Sequence, residues 1–177
     1  EPDPKKRAIL KNDFPKLYLD PRAVSDKEKK KVSFYSSGIS TGISSLTSFD
    51  ESHKESLKVE TVSISTFVKE KKIDKIGFLK SDVEGHDLFV LRGIPFESLR
   101  PEVIMCEYDD EKTIPLGYDV YDIANFLYKE KKYFVLISEW YSIVEYGTNH
   151  KWRRFSQYPC KIDEKSNWGN IIAVEKE

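Results

Sequence analysis

The stretch that decides the fold is residues 76–93, which read IGFLKSDVEGHDLFVLRG. Its first part, Ile76–Lys80, is a short apolar run that ends at polar residues, which is typical of a strand buried on both faces of a parallel sheet. An acidic turn at Ser81–Gly85 interrupts the run, and apolar residues then recur at helical spacing until Gly93. The stretch therefore predicts a strand, an acidic turn and a helix.

Three side chains that can carry chemistry follow this strand: Asp82, Glu84 and His86. Ligands of open α/β sheets bind in the crevice beyond the carboxyl ends of the strands, and these side chains are expected there. For Asp82 the sequence leaves two interpretations open. Its carboxylate either faces a ligand or only caps the helix that follows.

The same stretch carries a family resemblance. The segment FLKSDVEGHDLFVLRG resembles the K-x-D-x-E-G-x-(E/D)-x-x-V-L-x-G signature of FkbM-type methyltransferases, which use S-adenosylmethionine to O-methylate mostly small molecules and sugars. The matching positions are Lys80, Asp82, Glu84, Gly85, Asp87, Val90, Leu91 and Gly93. The resemblance implies a Rossmann-like class I methyltransferase fold, with an α/β sheet that is mostly parallel and has an antiparallel C-terminal strand pair. It also implies that S-adenosylmethionine is the cofactor and that Asp82 helps to bind it.

Length indicates one domain spanning residues 1–177, which the resemblance implies is methyltransferase-like. A hydrophobic content of 39% with 33% charged residues is ordinary for a soluble globular protein. The net charge of −1 gives no general attraction to nucleic acid or to an anionic membrane. No apolar run approaches the roughly 20 residues that a membrane-spanning helix needs. We therefore expect neither a nucleic-acid partner nor a membrane span.

Cysteine and histidine usage favours a cytoplasmic protein. Cys106 and Cys160 make no disulfide framework, which favours a reducing compartment. The three histidines are scattered, and neither CxxC nor HxxxH spacing occurs. The sequence therefore predicts no structural zinc site.

Two acidic residues near the beginning of the chain are candidates for cofactor contacts. Glu1–Pro4 resembles the family's E-P-x-P at the end of its second strand, which implies that Glu1 hydrogen-bonds the ribose hydroxyls of the cofactor. Read structurally, the same residues are a proline-stiffened entry into a helix over Lys5–Asn12. Asp26 ends a predicted strand in an A-x-S-D segment that the family shares, which implies a contact to the adenine amino group. The alternative is a turn acid before a charged loop.

The family's first strand and its glycine-rich turn are expected upstream of Glu1. No two glycines of the chain have GxG spacing. We therefore expect a domain that is incomplete at its N-terminus, lacking one strand and one helix, with unpaired strand edges and exposed apolar faces. Two explanations stay open: a piece of a longer protein, or a truncated relative that cannot bind the cofactor in the family's manner.

A second acidic strand end follows further along the chain. Glu102–Glu107 predicts a buried strand that ends in Glu107. Asp82, Glu84 and Glu107 are then expected at neighbouring strand ends. Carboxylates that close could raise one another's pKa and provide a general base for a sugar hydroxyl, or could hold a divalent cation. An acidic loop end without a ligand is the simpler alternative.

The remaining pattern completes an α/β domain. Tyr118–Lys132 predicts an amphipathic helix, and Tyr133–Ser138 and Tyr141–Tyr146 predict the antiparallel strand pair. Asn149–Tyr158 mixes aromatic and basic residues and is interpreted as a loop that binds an anionic or sugar substrate or packs on the surface. Trp168–Val174 predicts the last strand.

Two functions follow from these patterns. The first is methyl transfer from S-adenosylmethionine to a hydroxyl of a small molecule or sugar, with Glu84, Glu107 or His86 as the catalytic base. The second is a non-catalytic chain that cannot bind the cofactor alone. A metal-dependent hydrolase built on the same carboxylates is a more distant alternative.

Overall fold

The computed structural model describes residues 1–38, 40, 42–142, 149–163 and 168–176. Most of the predicted strand Tyr141–Tyr146 lies outside these residues. The chain divides into two units. The N-terminal unit comprises Glu1–Lys72 with Phe89–Ile94, and the C-terminal unit comprises Ile73–Leu88 with Pro95–Glu177.

The N-terminal unit is built from short elements. They are α1 (Pro4–Asp13), β1 (Ala23–Val24), β2 (Val32–Ser37), β3 (His53–Val59), β4 (Thr61–Val62) and α2 (Ile64–Lys71). Strand β1 pairs in parallel with β4, and β2 pairs antiparallel with β3. The side chains of Asp3 and Ser63 begin the two helices by accepting backbone N–H groups. Helix α1 confirms the helix predicted to follow Glu1–Pro4.

The C-terminal unit is built on a mixed five-stranded sheet in the order β5-β6-β9-β7-β8. Its strands are β5 (Phe78–Ser81), β6 (Val103–Asp109), β7 (Phe134–Trp140), β8 (Trp152–Gln157) and β9 (Trp168–Val174). Only β5 and β6 pair in parallel, because β9 lies between β6 and β7 and runs antiparallel to both. The α/β class is confirmed, but the prediction of a mostly parallel sheet is wrong for this unit.

Strands β8 and β9 complete the sheet differently from each other. Strand β9 coincides with the predicted strand Trp168–Val174. Strand β8 lies in the segment that was interpreted as a loop, and it pairs antiparallel with β7. The arginines of β8 contact a buried acid on β7, Glu139, which explains why a basic segment forms a strand here.

Strand β5 is more exposed than its apolar sequence predicts. In the described part of the sheet it is an edge strand with β6 as its partner, and Phe78 is 60% exposed. The prediction of burial on both faces is therefore wrong.

The predicted amphipathic helix is present as α5 (Val120–Asn125), which continues into a π-helical turn, Phe126–Glu130. It begins with a capping box in which Asp119 and Asp122 each accept a backbone N–H group of the other residue. Ile123 and Leu127 are fully buried. Just before this helix, the Tyr118 hydroxyl donates a hydrogen bond to the Gly85 carbonyl at 2.6 Å, which ties the helix to the acidic turn.

The other helices are short. They are α3 (Asp87–Arg92), α4 (Asp110–Thr113) and a 3-10 turn, Ile114–Leu116. Among the described residues, no helix has the length and apolar character needed to span a membrane.

Candidate functional site

Three carboxylates converge where β5 and β6 end. The two strands are parallel with Ser81 opposite Cys106, so the next residues, Asp82 and Glu107, lie side by side. Glu84 follows in the turn. One oxygen from each of Asp82, Glu84 and Glu107 lies within 4.8 Å of the other two, which is close enough to hold a metal ion. The predicted convergence of these residues is confirmed.

His86 is the fourth residue that the sequence placed here. It is half-buried and is not part of this group of ligand atoms among the described residues. Helix α3 begins at Asp87, so the residue at its N-cap position is His86. Asp82 therefore does not occupy the capping position that was its alternative role.

The turn that carries Glu84 has an unusual backbone. Glu84 and Gly85 have φ angles of 55° and 85°, in the left-handed region that favours glycine. A Cβ atom on Gly85 would lie 2.8 Å from the Cβ of Lys112. Glycine at this position therefore both permits the turn and leaves room for the Lys112 side chain.

Lys112 is a functional candidate that sequence reasoning missed. It lies on α4, one helical turn after β6 ends, and its side chain is only 7% exposed. Its Nζ lies 2.6 Å from an oxygen of Glu84, 3.0 Å from Asp109 and 3.8 Å from Glu107. The carboxyls of Asp82, Glu84, Glu107 and Asp109, together with Lys112, are called the acidic cluster below. The one sequence signal was the three-residue spacing from Asp109 to Lys112 after a strand.

Asp82 is the most accessible member of the acidic cluster. Its side chain is 47% exposed and forms an ion pair of 2.8 Å with Lys80, which is 37% exposed. Both partners are open to solvent, so this pair is weak and can yield to a ligand. Asp82 is therefore the residue best placed to contact a bound molecule.

Burial controls the protonation of Glu107. Loss of solvent raises the pKa of Glu107 to about 9, and the positive charge of Lys112 opposes the shift while Asp82 and Glu84 add to it. Burial also raises the pKa of Glu84, with Lys112 opposing. Burial disfavours the charged form of Lys112, but the surrounding carboxyls outweigh it, and the pKa of Lys112 is raised. At neutral pH the cluster therefore combines a charged Lys112 with a protonated Glu107.

Asp87 stabilises the acidic turn through a buried hydrogen bond. It is 1% exposed, and its Oδ1 accepts a hydrogen bond of 2.6 Å from the Ser81 hydroxyl. Burial is the main cause that raises the pKa of Asp87 to about 7. The contact joins the last residue of β5 to the first of α3 and so holds the ends of the turn together.

The predicted cofactor residues Glu1 and Asp26 belong to the N-terminal unit. The Glu1 amino group donates to the Asp20 carbonyl at 3.0 Å, and its carboxylate accepts from the Asp3 backbone at 2.9 Å. Asp26 accepts from the Ser25 hydroxyl at 3.2 Å. These contacts fix both residues, and their roles toward ribose and adenine stay predictions.

Comparison with known proteins identifies the family. The model of the methyltransferase FkbM domain matches residues 1–135, a segment that includes the acidic cluster. No curated protein and no solved structure matches the chain. The family match covers well over half of the sequence, and the chain therefore belongs to the methyltransferase FkbM domain family.

Proposed function

We propose that this chain transfers a methyl group from S-adenosylmethionine to a hydroxyl of a small molecule or sugar. The observation that carries the proposal is the acidic cluster at the carboxyl ends of β5 and β6, which is the ligand-binding edge of α/β sheets. Family membership supports methyl transfer in general. A Rossmann-like arrangement of the strands is part of the same proposal.

The residues present suit the cofactor chemically. S-adenosylmethionine carries an amino group, ribose hydroxyls and a cationic sulfonium, and all of these are attracted by a carboxylate or donate hydrogen bonds to one. We assign this contact to Asp82, because its carboxylate is 47% exposed. When bound, the cofactor supplies a methyl group on a sulfur that is a good leaving group.

We assign to Glu107 the role of the base that accepts the proton of the acceptor hydroxyl. Only its ionised form can accept a proton, and the pKa of Glu107 is raised by burial to about 9. Methyl transfer to an alcohol should therefore speed up as the pH rises from 7 toward 9. Glu84 is held by Lys112 at 2.6 Å, which leaves it less available as the base.

The test is titration calorimetry of S-adenosylhomocysteine into the folded chain and two variants. Asp82→Asn should weaken binding by about tenfold or more, which corresponds to about 1.4 kcal/mol. Asp74→Asn changes an exposed acid at the other end of β5 and should leave binding unchanged.

Absence of binding to a folded chain would contradict the proposal for this polypeptide. It would favour the second candidate, a relative that cannot bind the cofactor alone. The observation behind that candidate is the sequence, in which no glycine pair has the GxG spacing of a cofactor-binding turn.

A further inference from the structure

Two cations could balance the negative charge of the acidic cluster: a divalent metal ion or the Lys112 ammonium. The oxygens of Asp82, Glu84 and Glu107 are close enough together for a divalent cation. However, the Lys112 ammonium already lies 2.6 Å from Glu84 and 3.8 Å from Glu107, which are two of those three residues. A divalent ion on the same oxygens would lie beside a buried positive charge, and the repulsion would weaken its binding.

The fold builds this position for Lys112 from several sides. Helix α4 directs the chain back over the end of β6 and brings Lys112 within 3.0 Å of Asp109. Gly85 has no side chain where a Cβ would collide with Lys112, and the Tyr118 hydroxyl holds the Gly85 carbonyl. The Lys112 side chain is 7% exposed, so its ammonium is enclosed with the carboxyls rather than solvated.

We propose that Lys112 is the resident cation of the acidic cluster and a positioning residue for the reaction. Its ammonium takes the place of a divalent ion and holds the carboxylates of Glu84 and Asp109 in place through contacts of 2.6 and 3.0 Å. The part of this inference that concerns the reaction rests on the proposed function. The part that concerns the cation does not.

The test is titration of Mn²⁺ alone, followed by electron paramagnetic resonance of the free ion. Wild-type protein should show no stoichiometric binding. Lys112→Met removes the ammonium that lies beside Glu84 and Glu107 and should gain one Mn²⁺ site, with affinity at least about tenfold above that of wild type. Lys112→Arg keeps the charge and should bind no better than wild type.

A matched control is Lys75→Met, which removes a lysine paired with Glu102 at 2.6 Å on the surface. It should not gain a site. If a general loss of positive charge were the cause, Lys75→Met would gain affinity as much as Lys112→Met, and the inference would be overturned.

Two further outcomes would overturn the inference. One is stoichiometric Mn²⁺ binding by wild-type protein that Glu107→Gln abolishes. The other is a folded Lys112→Met variant that gains no site. If Lys112→Met does not fold, the wild-type and Lys112→Arg titrations decide alone. None of these measurements uses S-adenosylmethionine, so failure of the proposed function would be seen separately, as absence of S-adenosylhomocysteine binding.

Discussion

The buried Glu139 and the acidic cluster, both in the C-terminal unit, are balanced differently. On β7, Glu139 is fully buried, and each of its oxygens has a partner. Its Oε1 accepts from the Arg154 guanidinium at 2.7 Å, and its Oε2 accepts from the Asp163 backbone at 3.0 Å. Arg153 lies 3.7 Å away and also pairs with Asp163.

In the acidic cluster the carboxyls outnumber the buried cation. One buried ammonium, Lys112, serves the carboxyls of Glu84, Asp109 and Glu107. Oε2 of Glu107 is buried and has no hydrogen-bond partner among the residues that the structure describes. A carboxylate with a full set of donors stabilises the fold, whereas a buried carboxyl in excess over its cations retains a proton. Chemistry is therefore to be sought at the acidic cluster and not at Glu139.

The largest effect is expected from removing the cluster's cation. Lys112→Met leaves buried carboxylates without a counter-ion and should lower the free energy of unfolding by about 3–5 kcal/mol. Arg154→Met should cost clearly less, because Arg154 is 45% exposed and Glu139 keeps its other donors. Urea denaturation at pH 7 measures both. Equal losses would contradict the difference in balance.

A smaller loss is expected when the space for Lys112 is filled. Gly85→Ala places a Cβ against Lys112 at a φ of 85°, and we expect a loss of about 2–3 kcal/mol from strain and collision together. Gly117→Ala is the matched control, since Gly117 has a φ of 87° but no atom within 4 Å of the added Cβ. It should cost about 1 kcal/mol from strain alone. Thermal and urea unfolding of the two variants would show whether the collision contributes.

The same chemical change at the two sites should have different effects. Glu139→Gln removes a charge held by arginine and should cost about 2 kcal/mol. Glu107→Gln replaces a carboxyl that must take up a proton on folding at pH 7, and it should therefore raise stability at this pH rather than lower it. A loss at Glu107→Gln as large as that at Glu139→Gln, measured by urea unfolding, would mean that Glu107 is ionised in the fold.

Of these features, the meeting of Asp82 with Glu107 could be predicted from the sequence. Two apolar runs that each end in an acid indicate neighbouring strand ends once a parallel pair is inferred. Lys112 could not be predicted, because its approach depends on the turn of α4 and on the missing Cβ of Gly85.

The errors of the sequence interpretation have a common physical cause. The exposure of Phe78 and the strand conformation of β8 both depend on the position of each segment in the sheet. The local sequence does not determine that position. The edge of β5 is unpaired in the described sheet, and Arg154 finds its partner on β7. In both cases the outcome depends on which strands lie side by side, and local propensity does not determine this.

The pH dependence of stability tests the protonation of Glu107 independently. Because the folded-state pKa of Glu107 is raised to about 9, the native state holds a proton that the unfolded chain releases near its ordinary pKa. Stability should therefore fall as pH rises from about 5 to 9, by at most about 1.4 kcal/mol per pH unit for this proton. The pKa of Asp87 is raised to about 7, so Asp87 contributes to the decline of stability with pH only up to about neutrality.

Between pH 7 and 9 the Glu107 contribution can be isolated. Urea unfolding of wild type and of Glu107→Gln across this range should give a steeper decline for wild type. Parallel curves would show that Glu107 does not hold the proton.

The acidic cluster handles a proton at Glu107, and carboxyl ¹³C NMR of Glu107 tests this most directly. Wild-type protein labelled at glutamate would be titrated from pH 4 to 10, with Glu107→Gln used to assign the resonance. The Glu107 resonance should titrate with an apparent pKa of about 9. A Glu107 resonance that titrates near its ordinary value of about 4.3 would contradict it.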